Sequence, residues 1–292
     1  MPNVLILLST WNGMAFLPEQ IESLFAQQFD GNLSILVRDD GSSDGTVAYL
    51  RGLGDPVTVI EGENVGPRAS FFELLRLARE YDADIFALCD QDDVWRPEKI
   101  ATAIKHFNAA RPSLYASAVQ LVDEQLQPIS TYVHPGNRSF VSTLVCNYIT
   151  GCTCVFNRAF IDQLCFPQDV GKVIMHDWWL ASMATIDADI HYDRQSTIAY
   201  RQHASNHVGI SNGIPAIVAK VRRALTEKPA VTRFDHARQL RTVAGSRLDA
   251  QQRRILDSYL ASEHSAVRRG VFAMRHLRAI GLQAALRLAV FG

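Results

Sequence analysis

Ile85-Phe86-Ala87-Leu88-Cys89-Asp90-Gln91-Asp92-Asp93-Val94-Trp95 passes from an unbroken apolar run to three carboxylates within four residues. The apolar part has strand length and no polar alternation, which predicts a strand buried on both faces, as in a parallel sheet covered by helices. Upstream of it, Phe71, Leu74, Leu75 and Ala78 recur at helical spacing, and Val57 to Ile60 reads as a strand. Further back, Ser43 or Asp44 caps a helix through Tyr49 and Leu53, and Ser34 to Val37 is a strand ending in Asp39 and Asp40. Leu17, Ile21, Leu24 and Phe25 mark a first helix, and Asn3 to Ser9 a first strand. The order βαβαβαβ predicts an α/β fold whose mostly parallel sheet has right-handed crossovers and opens all its strand C-terminal ends on one edge. Ligands of open α/β sheets bind at that edge. Ser9–Gly13, Asp39–Asp44 and Asp90–Asp93, the polar clusters, fall where strands one, two and four end.

Downstream the alternation loosens. A helix through Ile100, Ile104 and Phe107 precedes a strand over Ser113 to Leu121, a turn at Asp123 to Pro128 and an irregular stretch to Tyr148. Thr150 to Phe156 reads as a strand that puts Cys152 and Cys154 on one face. A short helix, a tryptophan-bearing helix over Asp177 to Thr185 and a strand over Gln195 to Tyr200 follow. Beyond Pro215 the pattern is helical. These features predict a catalytic body over residues 1–212 and a helical appendage over 213–292.

Composition narrows the class. With 48% apolar and 20% charged residues the 292-residue chain is globular rather than disordered. Five cysteines with no C-x-x-C pair argue against a zinc site and fit a reducing, cytoplasmic compartment. Val4 to Leu8 is too short for a signal-peptide core, and no run approaches membrane-spanning length. G-x-G-x-x-G after strand one, a G-x-x-x-x-G-K-[ST] loop and a G-x-S-x-G elbow are all missing, which argues against nicotinamide, P-loop and serine-hydrolase chemistry. No nucleic-acid partner is implied.

Crowded carboxylates repel unless a cation joins them, and hard oxygen ligands suit Mg²⁺ or Mn²⁺. Asp90 and Asp92, alternating in an extended segment, share a face in this reading, while Asp93 points elsewhere. A solvated acidic turn is the plain alternative; the position at a strand end favours the metal. In Arg38-Asp39-Asp40-Gly41-Ser42-Ser43-Asp44-Gly45-Thr46, Asp44 serves as a helix cap, and the adjacent pair exceeds what a cap needs. One of the pair can accept from the N3–H of a uracil or thymine.

Ser9-Thr10-Trp11-Asn12, the Arg38–Thr46 run, Asn64-Val65-Gly66 and Asp90-Gln91-Asp92-Asp93-Val94-Trp95, in this order and at these separations, resemble glycosyltransferase family 2. The resemblance covers about residues 1 to 210 and implies a GT-A fold, a nucleotide-diphosphate sugar donor, a divalent metal and inversion at the anomeric carbon. It implies that Ser9, Trp11 and Asp40 line the pyrimidine site, with Asp39 as second choice, and that Arg68 lies near the base or phosphates. Asp92 becomes the direct metal ligand and Asp90 a ribose or metal contact. Asp177, in Met175-His176-Asp177-Trp178-Trp179, becomes the base that deprotonates the acceptor, although His176 stands where the family commonly has Glu. His203, in Tyr200-Arg201-Gln202-His203, faces the diphosphate or metal, with Arg201 offsetting phosphate charge and the following loop closing over the donor. Gly151, Trp95 and Trp178 fall to the sugar or acceptor. The Asp-Gln-Asp-Asp-Val-Trp cluster with the Arg-Gln-His stretch most resembles bacterial rhamnosyltransferases of polysaccharide assembly, implying dTDP-L-rhamnose as donor and a saccharide or lipid-linked saccharide as acceptor. A UDP-hexose transferase of the same family is the nearest alternative; a sugar-phosphate nucleotidyltransferase lacks its glycine-rich, lysine-bearing loop here, and a non-catalytic nucleotide-sugar-binding protein is the remaining one.

From Lys220 on there are fifteen Lys and Arg against five Asp and Glu, leaving fourteen against twenty-five before it. Val271, Phe272, Met274, Leu277, Ile280, Leu282, Leu286 and Val290 interleave with Arg268, Arg269, Arg275, Arg278 and Arg287. Amphipathic helices of this kind dock on anionic membrane, here the inner face of the cell membrane, or bury their apolar side on the body or on a second subunit of a homo-oligomer.

Overall fold

A computed structural model describes residues 1–135, 137–203 and 230–291. The strands β1 (Asn3–Thr10), β2 (Asn32–Asp39), β3 (Val57–Glu61) and β4 (Ile85–Cys89) alternate with the helices α1 (Leu17–Phe25), α2 (Thr46–Gly52) and α3 (Gly66–Leu77). These four strands are parallel, in the order β3-β2-β1-β4. Successive side chains of a strand point to opposite faces, and here both faces are buried. Leu5, Leu7, Phe86 and Leu88 enter one core, and Val4, Ile6, Leu8, Ile85 and Ala87 the other. That double burial is why these strands read as continuous apolar runs.

The sheet then changes direction. After β5 (Val94–Trp95) and α4 (Lys99–Ile104) come β6 (Ser113–Val122), β7 (Pro128–Tyr132) and α5 (Phe140–Thr143). Next are β8 (Val155–Asn157), α6 (Arg158–Gln163), α7 (His176–Asp187) and β9 (Asp189–Arg201). β8 runs antiparallel between β4 and β6, β9 lies parallel to β6, and β5 pairs antiparallel with β9. β7 forms a hairpin with β6 across the predicted turn, where the Asp123 amide donates to the Gln127 carbonyl. Two expectations change. The strand predicted from Thr150 is only Val155–Asn157, because Gly151–Thr153 forms a 3-10 turn. Cys152 and Cys154 therefore lie in opposite cores rather than on one face.

The C-terminal helices are α8 (Arg233–Ala244), α9 (Ala250–Leu260), α10 (Ala266–Arg275), α11 (Leu277–Ile280) and α12 (Leu282–Phe291). α8 and α9 start with capping boxes, Thr232 with Asp235 and Asp249 with Gln252. Phe234, Leu240, Leu256, Tyr259, Phe272, Ile280 and Leu288 share one core with Trp179, Leu180 and Met183 of α7. The expected boundary at residue 212 lies outside the described residues, as does the start of the predicted helical run at Pro215.

Leu240 is fully buried in that shared core. Leu240→Ala is expected to cost about 2–5 kcal/mol. Because the core is shared, tryptophan fluorescence and far-UV circular dichroism should report one common transition at a lower Tm. An early separate melt of the C-terminal helices would contradict the shared core.

Candidate active site

β1 lies between β2 and β4, so the polar clusters that end these three strands are neighbours at one edge. The Asp39 carboxylate accepts from Thr10 Oγ1 at 2.8 Å and from the Ser42 amide and Oγ, both at 2.7 Å. The Asp40 carboxylate accepts from the amides of Val65 and Gly66 at 2.8 Å and pairs with Arg38, which also bonds Glu73. Gly66 holds φ +79°, a conformation that favours glycine and lets its amide turn to Asp40. Both acids are buried, and each accepts three hydrogen bonds of the about four that a carboxylate can take. Asp44 accepts from the amides of Thr46 and Met14, a turn contact rather than the expected cap: the N-cap of α2 is Gly45, with no side-chain cap bond from Ser43 or Asp44.

Ser9 Oγ lies 2.7 Å from Ser70 Oγ, and the Trp11 indole is 53% exposed above the strand end, open to a flat partner. Gln91 fixes the Trp11 backbone twice: its Oε1 accepts from the Trp11 amide at 2.8 Å and its Nε2 donates to the Trp11 carbonyl at 3.0 Å. A clamp between the ends of β1 and β4 was not read from the sequence, where Gln91 appears only as the spacer between acids. Arg68 sits at the start of α3 and donates through Nη1 to the Val173 carbonyl at 2.8 Å.

The chain turns at Gln91–Asp92 rather than staying extended, so the acids sort differently from the predicted alternation. Asp90 and Asp93 come together with Cys152, within 4.8 Å of one another, and Asp93 is fully buried. Asp92 turns outward to His203, whose Nε2 lies 2.8 Å from Asp92 Oδ2 and whose ring packs on Phe16. Burial pushes Asp90 up to about 7, and the charges of Asp92 and Asp177 act in the same direction. Asp93 is raised well above the usual carboxylate range by burial, then by Asp92 and Asp90.

Two cations stand behind the cluster. Lys99 is buried, donates to the Cys152 carbonyl and lies 3.4 Å from the Trp95 ring centre. Its position on the buried face of α4, beside Ile100 and Ala103, was the overlooked signal. Arg201 is 2% exposed; its Nε donates to the Asp92 carbonyl at 2.9 Å, while its other nitrogens hold the Glu124 carbonyl and the Glu19 carboxylate. Its amide donates to Asp93 Oδ1 at 3.2 Å. Arg201 therefore braces the acidic turn from within, instead of standing free to meet phosphate as expected. Trp95 also departs from expectation: 3% exposed and packed in the core under Lys99, it cannot reach a sugar or acceptor. The loop after His203, from residue 204, lies outside the described residues.

Asp177 enters from the other side, in the first turn of α7. Burial pushes its carboxyl up to about 6, despite hydrogen bonds from the Trp178 amide, the Asn147 side chain and the Gly151 amide. Gly151, packed beside it, is followed by Cys152, whose thiol lies within 4.8 Å of the Asp90 and Asp93 carboxylates, so the acids are linked through one short segment. Trp178 is half-buried, and its Nε1 donates to the Thr143 carbonyl at 2.6 Å. His176 is buried and stacked on Phe71 at 4.1 Å; burial pulls it down to about 3, so its imidazole is neutral. Gly151 explains itself sterically: a Cβ there would lie 2.8 Å from His176 Nε2 and 3.4 Å from Asp177 Cβ. The glycine thus serves close packing on a turn.

A mostly parallel sheet with acids gathered at one strand-end edge and a further carboxylate opposite is the GT-A architecture of nucleotide-sugar-dependent transferases. The family profile described as "Glycosyl transferase family 2" matches residues 5–164. The chain belongs to that family and is a glycosyltransferase that transfers sugar from a nucleotide sugar. It is 27% identical over 226 residues to the dTDP-rhamnosyl transferase RfbG of Shigella flexneri, spanning 69% of this chain and 73% of RfbG. An uncharacterized glycosyltransferase of Rickettsia felis is 25% identical over 217 residues, covering 70% of this chain and 35% of that protein. Among solved structures, TarS 1-349 of S. aureus with UDP-GlcNAc aligns at TM-score 0.57 and 14% identity, over 98% of this chain and 90% of that one. The mannosyltransferase PcManGT of Pyrobaculum calidifontis with GDP-Man and Mn²⁺ aligns at 0.56 and 18% identity, over 99% and 79%.

Gly151→Ala is expected to lower stability by about 1–3 kcal/mol through overpacking against His176. Thermal melts should show Gly151→Ala/His176→Ala regaining part of that loss. A double variant less stable than the sum of its single changes would refute the steric account.

Proposed function

We propose that this enzyme transfers L-rhamnose from dTDP-L-rhamnose to a saccharide acceptor, with inversion, in the assembly of a bacterial surface polysaccharide at the cytoplasmic side of the membrane. The observation that carries the mechanism is that Gly151, whose amide donates to Asp177, leads directly into Cys152, whose thiol lies within 4.8 Å of the carboxylates of Asp90 and Asp93, so the acid of α7 and the strand-end acids border one short segment. The donor assignment is supported by the likeness to RfbG.

In this reading Trp11 stacks on the thymine and Asp40, or Asp39, accepts from its N3–H. Ser9 lines the same end and Arg68 the neighbouring wall. Asp90 serves the ribose, and Asp92 with His203 holds a divalent cation. The donor set fits Mg²⁺ or Mn²⁺: a partly exposed carboxylate beside an imidazole suits Mn²⁺ and, through its oxygens, Mg²⁺. Cys152, whose thiol burial raises well above its usual range, is a poor ligand for either. Asp93 belongs to the interior, where the Arg201 amide and its own burial keep it from the diphosphate. A bound divalent cation supplies charge neutralisation for the leaving nucleoside diphosphate.

Asp177 takes the proton from the acceptor hydroxyl. The hydroxyl oxygen then bonds to the anomeric carbon as the bond from that carbon to the diphosphate oxygen breaks, and the diphosphate leaves with the electron pair on the opposite face. Trp178, half-buried beside Asp177, borders the acceptor, with Gly151 packed against His176 and Asp177 at the same wall. The same arrangement suits a UDP-hexose donor, so the base-reading end does not separate the two.

Thermal shift and hydrolysis with dTDP-rhamnose, UDP-glucose, UDP-galactose, UDP-GlcNAc and GDP-mannose, with and without Mn²⁺, test the donor. Stabilisation by dTDP-rhamnose with Mn²⁺ is expected; a preference for a UDP-hexose would replace the rhamnosyl assignment. Asp177→Asn should lower kcat by about 10²- to 10⁴-fold. A base must be deprotonated, so wild-type kcat/KM should fall as pH drops below about 6. The folded pKa lies above the ordinary carboxylate value, so this group favours the fold at low pH and opposes it as pH rises through about 6. Asp177→Asn should therefore melt no lower than wild type at pH 8, and a large loss of Tm there would show that Asp177 is needed for folding instead.

A further inference from the structure

We propose that the outward face of α10 and α12 is a docking surface for an anionic lipid leaflet. The two helices lie side by side, with Arg269 Nε of α10 donating to the Leu288 carbonyl of α12 at 3.2 Å. Phe272 and Ala273 of α10, and Ala285 and Leu288 of α12, point into the core shared with the catalytic body. On the opposite side of α10, Val267, Val271 and Met274 form a stripe at spacings of four and three, 77%, 54% and 70% exposed. Leu282 and Leu286 of α12 add 66% and 58% exposed side chains. Five of the ten exposed large apolar side chains among the described residues thus sit on two neighbouring helices.

A helix already buried on its inner face gains nothing in water from an apolar outer face, so this face calls for an occupant. Charge decides which. From His264 to Gly292 the sequence has five arginines and no Asp or Glu. Arg268, Arg275, Arg278 and Arg287 are exposed around the stripe, while Arg269 is turned inward to the carbonyls of Glu263 and Leu288. A second copy pairing through the same face would bring arginines together with no acid of that segment to answer them. Phosphate headgroups answer them, and acyl chains accept the stripe between. The helices have ten residues each, about 15 Å, and no helix among the described residues is long and apolar enough to cross a membrane. They therefore lie in the plane of the interface. The docking does not depend on which sugar is transferred.

Flotation of the full chain with phosphatidylcholine vesicles, with and without phosphatidylglycerol, tests the surface. Wild type should float with the anionic vesicles, lose that binding at high salt, and stay behind with the neutral ones. Val271→Glu/Met274→Glu should abolish flotation, and Arg275→Glu/Arg278→Glu should weaken it by roughly twentyfold or more. Both variants change exposed residues far from Asp177 in sequence, so donor hydrolysis without vesicles and the circular dichroism spectrum should match wild type. Failure of wild type to float, equal binding to both vesicles, undiminished binding of either variant, or a wild-type dimer in light scattering that Val271→Glu/Met274→Glu dissolves would each overturn the proposal.

Discussion

Repulsion among four carboxylates, Asp90, Asp92, Asp93 and Asp177, drawn to one end of β4, is the constraint that the surrounding structure answers. Burial makes it severe, since each charge acts through protein rather than water. Arg201 binds the backbone of the acidic turn, Lys99 sits behind it, and His203 meets Asp92 on the outer side. The turn is held in shape by these contacts, while burial and mutual repulsion push Asp90 up to about 7 and Asp93 well above the usual carboxylate range, so part of the repulsion is relieved by proton uptake. A cation is the partner that such crowded carboxylates lack.

A similar economy governs the surroundings of Asp177. Asp177 is set at the start of a helix whose next residues, Trp178 and Trp179, are tied by their indole N–H groups to the carbonyls of Thr143 and Cys165. His176 fills the space beside Gly151 as a neutral ring. An acid in that position would add a fifth negative charge, whereas imidazole adds bulk alone. The Asp177 carboxylate is therefore oriented by packing and by hydrogen bonds from Trp178, Asn147 and Gly151 more than by charge pairing.

Much of this was legible in the chain. β1, β4 and the Ile35–Val37 stretch of β2 declared themselves because burial on both faces leaves no polar positions, the partly exposed β3 because Val57, Val59 and Ile60 keep a strand-like run, and the strand-end clusters followed from their order. β7 did not, since Pro128–Tyr132 is an exposed hairpin strand whose residues carry no burial pattern. The extended reading of Asp90–Asp93 failed at a turn that no periodicity announces, and Thr150–Phe156 failed because Gly151 permits a tight turn within an apolar stretch. Asp92 and His203 are 111 residues apart; no spacing rule brings them together, and only the resemblance pointed to the pair. Arg201 was misread because an arginine near an acidic motif looks the same in sequence whether it braces the backbone or faces solvent. The amphipathic tail was visible, but its two apolar sides could be told apart only once the inner one was seen in the core.

That shared core sets a limit on dissection. α8 covers α7, and α9 and α11 rest on α5, so removing the C-terminal helices would strip the apolar backs of the elements that carry Asp177 and Trp178. A fragment ending after His203 would keep Asp177 but meet water with an uncovered hydrophobic flank and would aggregate rather than yield a minimal enzyme.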